Sequence, residues 1–425
     1  MFSSFLVPFQ SAHPLVFVGL LLLLSHAAGL LAHRLHSPKV TGYLVVGMLA
    51  SPSVTGLLSA TVVEERLGLI TDIALGAIAF SIGGVLRWKQ LKKLGLQIAT
   101  VTLAEGFGAM LFPFLAVVAA YGLGQVVDPS LDWRTELLPL AIMIGALCVS
   151  TAPAATLAVI HEVRADGPLT QLLLGVVAID DALGITAFAL AKTGVLALVG
   201  VGVVSWGASL GFIGREIGLA LLLGGVLGWA MALVARHFSP GLGLFGVAWG
   251  ALFLCAGLAH SLGASPLLAN MTLGFVLVNF LQHHQDLFAV VEEIEEPIFG
   301  MFFLLAGAHL DLSVLPQAGA LAVLILLARF LGKLLGAGLG AKVSGSPPQV
   351  VKYLGLGLTP QAGVAVGLVL SAKASLPAGP VGSLLVNGIL ATVVLNELIS
   401  PFFIRFALNL AGEAGQRGSK GGEDE

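Results

Sequence analysis

The sequence predicts an all-α polytopic membrane protein of about thirteen transmembrane helices. Three observations carry this. Only 10% of its 425 residues are charged, against about 25% in soluble domains. Hydrophobic residues make up 57% of the chain and the mean hydropathy is +1.01. The apolar runs reach the roughly 20 residues that a helix needs to cross a bilayer.

Taken in order, the expected spans are 14–35, 38–58, 67–86, 96–122, 136–160, 169–200, 209–235, 242–262, 265–282, 296–312, 318–341, 348–372 and 382–410. A Gly/Val-rich segment at 193–213 has the composition to hide one more. No positive charge precedes the first span, which marks it as a spanning helix rather than a cleaved signal. Cys148 and Cys255 both fall inside apolar runs, so no disulfide framework is expected. Residues 411–425 are polar and Gly-rich, the composition of a disordered tail. A net charge of −3 leaves no basic footprint for nucleic acid.

With an odd number of spans, one set of loops holds 13 basic residues, among them Arg34, Lys39, Arg87, Lys89, Lys92 and Lys93. The other set holds 5: Arg66, Arg134, Lys192, Arg215 and Lys373. The positive-inside rule then places the N-terminus outside and the C-terminus in the cytoplasm.

The chain also repeats itself. Shifting it by 224 positions sets 76–111 against 300–335 with nine identities, including Gly76/Gly300, Gly83/Gly307 and Gly108/Gly332. The register pairs spans seven apart, so the two copies lie in the membrane with opposite orientation. Inverted repeats of this kind recur in secondary transporters, whose binding sites form at interrupted helices near the midplane. Two spans carry a proline in mid-run, Pro153 in ALCVSTAPAATLAVI and Pro360 in GLGLTPQAGVAVGL. Each removes one backbone hydrogen bond. Ser150, Thr151 and Thr359 beside them offer hydroxyls to freed backbone groups or to an ion.

The span after the first break contains VVAIDDALGI, with adjacent carboxylates Asp180 and Asp181. A single charged acid at the bilayer centre costs about 2.5–3.5 kcal/mol on the insertion scale, and intramembrane acids mark ion paths. Neighbouring helical residues point about 100° apart, so one acid can meet a partner helix while the other faces a watery path. Lys333, flanked by Gly332, Gly336 and Gly340, is the expected partner, because a lysine can lose its proton as its environment changes and arginine cannot. Arg329, one turn away, suits a structural role, paired with Glu105, its equivalent in the 224-residue register. The run HHQDLFAVVEEIEEP at 283–297 is expected to be a solvated acidic loop.

PLTQLLLGVVAIDDALGITAFAL, together with LHSPKVTGYLVVGMLASPS, ASPLLANMTLGFVLVN and FGMFFLLAGAHLDLSVL, resembles the second monovalent cation:proton antiporter family over about residues 14–410. The resemblance implies the sodium/proton antiporter fold with two crossed broken helices. It implies a homodimer in the cell membrane, with a dimerisation domain at about 14–58 and 209–282 and a mobile core at about 67–200 and 296–410. It further implies that Asp181 is the shared site for cation or proton and that Asp180 exchanges a salt bridge with Lys333. Two adjacent acids generally go with electrogenic exchange. The first break reads Ser-Thr-Ala-Pro where several antiporters have Thr-Asp, which alters the charge balance there. The ligands are then the transported ions, Na+ first and K+ as the alternative, bound at Asp181 and Asp180 with Ser150 and Thr151. No cofactor and no enzymatic activity is implied. An intramembrane aspartyl protease would need its acids on two facing helices. A sodium-coupled symporter on the same repeat plan is the other rival.

Overall fold

The structure, a computed structural model, describes residues 13–59, 67–124, 126–199, 206–235, 237, 242–281, 284–309, 315–361, 380–416 and a few isolated residues between 365 and 372. Its described elements are helical: α1 (Pro14–Arg34), α2 (Lys39–Ala50), α3 (Gly68–Val85), α4 (Trp88–Leu123), α5 (Leu138–Leu147), α6 (Pro153–Glu162), α7 (Pro168–Val199), α8 (Trp206–Ala235), α9 (Leu242–Leu262), α10 (Pro266–Phe280), α11 (His284–His309), α12 (Leu315–Val343), α13 (Pro348–Gly357) and α14 (Pro380–Leu410). A single π-helical turn at Trp133–Leu137 leads into α5. Among the described residues eight helices are long and apolar enough to cross a membrane, and α2, α10 and the last turns of α11 are shorter apolar helices.

Most expected spans coincide with one helix. The run 136–160 is divided between α5 and α6, and the run 348–372 opens as α13 and stops at Gly357. Proline sets both interruptions. Pro153 is the first residue of α6, where its missing N–H would have no helical partner in any case. Pro360 lies beyond the end of α13 and cannot supply the N–H that would continue it. Pro113 and Pro297, by contrast, sit inside continuous helices.

Three expectations are corrected. The acidic stretch 283–297 is not a loop: from His284 it is the opening of α11, because its Leu, Glu, Val and Ala are helix-compatible and Pro297 costs only one turn's bond. The run 38–58 is helical only to Ala50, after which Gly56 adopts a left-handed φ of +68° in a turn. The tail is ordered at its start. Glu413 is buried and its carboxylate accepts hydrogen bonds from the backbone N–H groups of Leu169 and Thr170 at 2.7 and 2.8 Å. It thereby caps the positive N-terminal end of α7, a long-range pairing that tail composition does not reveal. Of the segment 193–213, α7 takes the part up to Val199 and α8 begins at Trp206; residues 200–205 lie outside the described residues.

The chain divides into two compact units. The first holds 1–93, 157–162 and 214–310, and the second 94–156, 163–213 and 311–425. This division by packing differs from the expected core range at 67–93 and 296–310, which pack with the first unit.

Within the first unit α3 packs on α10 and α11 packs on α2, and these two contacts echo each other. A Cβ on Gly83 would meet the Met271 carbonyl, and one on its repeat equivalent Gly307 would meet the Leu44 carbonyl. Conversely, Gly274 approaches the carbonyl of Phe80 and Gly47 that of Leu304. Phe80 and Leu304 are themselves 224 positions apart. Below this seam Phe17, Leu21, Leu58, Leu67, Leu304 and Leu305 form a buried apolar cluster.

In the second unit α5 packs on α7, and α12, α13 and α14 pack on one another. The repeat-equivalent glycines Gly108 of α4 and Gly332 of α12 touch: a Cβ on either would run into the other's carbonyl group. Gly336 meets Ala104 and Gly340 meets Val101 in the same seam. Close approach through small residues is how helices associate where lipid removes the hydrophobic driving force. Gly332→Val would push this seam apart. The expected result is a destabilisation of about 1–3 kcal/mol, typical of overpacking, measured as a lowered unfolding temperature of the detergent-solubilised protein.

Candidate ion-binding site

All the residues singled out in the sequence, Glu105, Ser150, Thr151, Pro153, Asp180, Asp181, Arg329, Lys333, Thr359 and Pro360, lie in the second unit. Three helices and two interruptions position them. α4 supplies Glu105, α7 the acid pair and α12 the two bases, while the interruptions after α5 and α13 supply the rest.

The first interruption exposes the C-terminal carbonyls of α5, which have no intrahelical donor. Each of four successive carbonyls receives a side-chain hydrogen bond. Gln361 Nε2 donates to Leu147 at 2.9 Å, Arg329 Nε to Cys148 at 2.9 Å, Lys333 Nζ to Val149 at 2.5 Å and Arg329 Nη2 to Ser150 at 2.9 Å. The second interruption is served from the same side. Arg329 donates through Nη1 to the Thr359 carbonyl and through Nη2 to that of Pro360 at 3.2 Å, while Asn396 Nδ2 reaches Thr359 at 2.7 Å. One backbone bond, from the Ala152 N–H to the Pro360 carbonyl at 3.0 Å, joins the two breaks directly.

Arg329, 1% exposed, thus acts as a clamp on four carbonyl oxygens. A forked, permanently charged guanidinium suits this task. The ends of α5 and α13 each present the partial negative charge of a helix C-terminus, about half an elementary charge. Arg329 offsets both. The expected pairing of Arg329 with Glu105 is therefore corrected: Glu105 pairs with Lys333, and the backbone claims the guanidinium.

Lys333 Nζ lies 2.5 Å from Glu105 Oε2 and 3.1 Å from Asp180 Oδ2, with all three side chains fully buried. It also stands 2.9 Å from Thr151 Oγ1, and that hydroxyl donates to Asp180 Oδ2. Ser150 packs against Gly184, one turn beyond the acids, where a Cβ would come within 2.8 Å of the serine. The Thr359 hydroxyl turns back on its own helix and donates to the Leu356 carbonyl at 2.9 Å.

Asp181 differs from its neighbour. It is 7% exposed, and neither carboxylate oxygen has a hydrogen-bond partner among the described residues. A buried acid without a partner is costly as an anion. A proton or a small cation at the carboxyl would relieve that cost.

Residues 19–409 match the family model for the transmembrane sodium/hydrogen exchangers. The chain belongs to this family. Among curated exchangers it is 26% identical over 359 residues to the Na+/H+ antiporter NhaS4 of Synechocystis sp., covering 81% of this chain and 84% of that one. It is 22% identical over 407 residues to the Na+/H+-K+ antiporter GerN of Bacillus cereus, covering 93% and 97%. The solved sodium proton antiporter MjNhaP1 of Methanocaldococcus jannaschii superimposes with a TM-score of 0.70 at 18% identity, over 94% of this chain and 99% of that chain. The exchanger fold of this chain, inverted repeats with paired interrupted helices, is the fold of that structure.

Sequence reasoning missed three buried polar residues of the exchanger's second unit. Gln361 and Asn396 hold carbonyls at the breaks, and Glu397 sits in the last span. The signal was present, since the cost of an acid in an apolar span applies to Glu397 as much as to Asp181. Arg329→Lys would replace the forked donor with a point charge, leaving two or more carbonyls unpaired at about 1–3 kcal/mol each. The expected outcome is a marked loss of thermal stability in detergent, read by fluorescence-detected unfolding.

Proposed function

We propose that the chain exchanges a monovalent cation, Na+ in the first place, for protons across the cell membrane, and that Asp181 is the group for which the two compete. The observation that carries this is the Asp181 carboxyl, neither of whose oxygens has a partner among the described residues, next to an acid whose Oδ2 is held by Lys333 and Thr151. Membership of the exchanger family supports the activity.

With a proton on Asp181 the site is neutral, and Lys333 stays bound to Asp180 and Glu105. A cation entering at Asp181 displaces the proton and draws on the Asp180 carboxylate and the Ser150 and Thr151 oxygens. The Lys333 ammonium then loses part of its counter-charge. Its proton can pass to Glu105 with no change in buried charge, or leave along with the proton from Asp181, so that two protons go out for one cation bound. An empty site with both acids ionised is costly, so the carrier crosses only when loaded. That cost makes exchange obligatory, and proton loss from Lys333 makes it electrogenic. The printed name of the Bacillus cereus relative includes K+, which keeps the K+/H+ alternative in view. A homodimer, with the N-terminus outside and the C-terminus in the cytoplasm, is part of the same proposal.

Proteoliposomes measure the central step. Asp181→Asn is expected to lose pH-gradient-driven Na+ exchange entirely, and undiminished exchange would end the proposal. Lys333→Gln, which keeps length and polarity without a titrating charge, is expected to retain some exchange while losing the transport current on a supported membrane. A full wild-type current from that variant would contradict the assignment of Lys333.

A further inference from the structure

Four carboxyls and two bases are buried among the described membrane-spanning residues of the second unit: Glu105, Asp180, Asp181 and Glu397 against Arg329 and Lys333. Fully ionised, this set falls two positive charges short of neutrality. The exchanger reading supplies one, the proton or cation on Asp181. Glu105 and Asp180 are held by Lys333 at 2.5 and 3.1 Å. Glu397 has nothing comparable. It is 2% exposed, and both of its oxygens lack a hydrogen-bond partner among the described residues.

We propose that Glu397 is a second proton-binding carboxyl of this exchanger, distinct from Asp181. Glu397 is occupied by a proton while Arg329 clamps the crossing and gives it up when Arg329 lets go.

The surroundings support both halves of this assignment. Four of the five N–H groups of a guanidinium are directed from Arg329 to the carbonyls of Cys148, Ser150, Thr359 and Pro360. None of these donors is directed to Glu397. Ser400, three residues on and therefore on the same face of α14, is fully buried, and its hydroxyl has no hydrogen-bond partner among the described residues. It is the natural acceptor for a protonated Glu397. Among the described helices, α5, α12 and α13 pack most closely against α14. α5 has no acidic or basic side chain, although the thiol of Cys148 follows it. α13 contributes Lys352 and Tyr353, and α12 contributes Lys333 and Lys342 besides Arg329. Of these bases, Arg329 shares the Thr359 carbonyl with Asn396, the residue next to Glu397.

The release step follows from shared acceptors. Asn396, adjacent to Glu397, donates to the same Thr359 carbonyl as Arg329. A movement of the second break that withdraws Thr359 frees both donors at once. A guanidinium N–H released beside Glu397 would favour the carboxylate, and the proton leaves. The proton count of a cycle then includes one that never competes with the cation.

The assignment rests on the exchanger reading, but its test does not. Infrared spectra of the reconstituted full chain at neutral pH report the carbonyl band of protonated carboxyls. Asp181→Asn should leave part of this band, Glu397→Gln should remove that part, and Glu397→Asp should keep it at a shifted position. A Glu397→Gln spectrum with the whole wild-type band would overturn the proposal, whether or not the chain exchanges Na+. Transport in proteoliposomes supplies the second readout. Glu397→Gln should displace the pH profile of Na+ exchange by roughly tenfold in proton concentration, the equivalent of one pH unit, and Glu397→Asp should restore it in large part. A profile superimposable on wild type in the Gln variant would also overturn it. Should Glu397→Gln fail to fold, Ser400→Ala, which leaves the carboxyl in place, must shift the band; an unmoved band counts against the proposal.

Discussion

The second unit depends on how one ammonium group is shared. Lys333 Nζ has four acceptors within 3.1 Å, the Glu105 and Asp180 carboxylates, the Thr151 hydroxyl and the Val149 carbonyl. It has three N–H groups to offer. No distribution of its donors satisfies all four at once, so any change at one acceptor is felt by the others. A buried charge of this kind contributes little net stability, because desolvation offsets the Coulomb attraction, yet removing one partner is severely destabilising. The proposed exchange uses that combination: a cation at Asp181 that draws on Asp180 takes an acceptor from Lys333.

The breaks make this possible. An uninterrupted helix would keep its carbonyls for itself. By stopping α5 before Pro153 and α13 before Pro360, the chain frees carbonyl oxygens in the apolar interior and has them recruit Arg329, Lys333, Gln361 and Asn396. Arg329 and Lys333 then do different work. The arginine ties the two interruptions into one body through permanent charge, and the lysine, whose charge is removable, reports on the acids. The glycine seam between α4 and α12 sets the scale of the arrangement, since the contact of Gly108 with Gly332 brings Glu105, one turn before Gly108, and Lys333, next to Gly332, to ion-pair distance.

Much of this was legible in the residues. Apolar run length delimited α1, α3, α7, α9 and α14 closely, because a membrane span must satisfy its backbone internally. The 224-residue repeat pointed to Gly108 and Gly332 without showing that the two equivalents touch. The acid pair stood out because charge in an apolar run is rare. What stayed hidden depends on long-range geometry. Glu105 and Arg329 occupy equivalent repeat positions, which suggested that they pair. Equivalence sets orientation, however, and leaves open which of two neighbouring bases an acid meets. Glu413 looked like part of a disordered tail because its partners, the N–H groups at the start of α7, lie some 240 residues earlier in the chain. Glu397 was passed over because its span also carries Asn396, Ser400 and Pro401 and so reads as a less pure apolar run.

The central claim is that proton and cation exclude one another at a carboxyl with no other partner. Its most direct measurement needs no transport. Na+ is added to the detergent-solubilised protein in weakly buffered solution, and released protons are counted with a pH indicator over a series of starting pH values. The account predicts that bound Na+ expels protons and that its apparent affinity falls at least about tenfold for each pH unit lowered wherever Asp181 is protonated, and more steeply where Lys333 releases its proton as well. Saturable Na+ binding that leaves the solution's proton content and its own affinity unchanged across that range would contradict it.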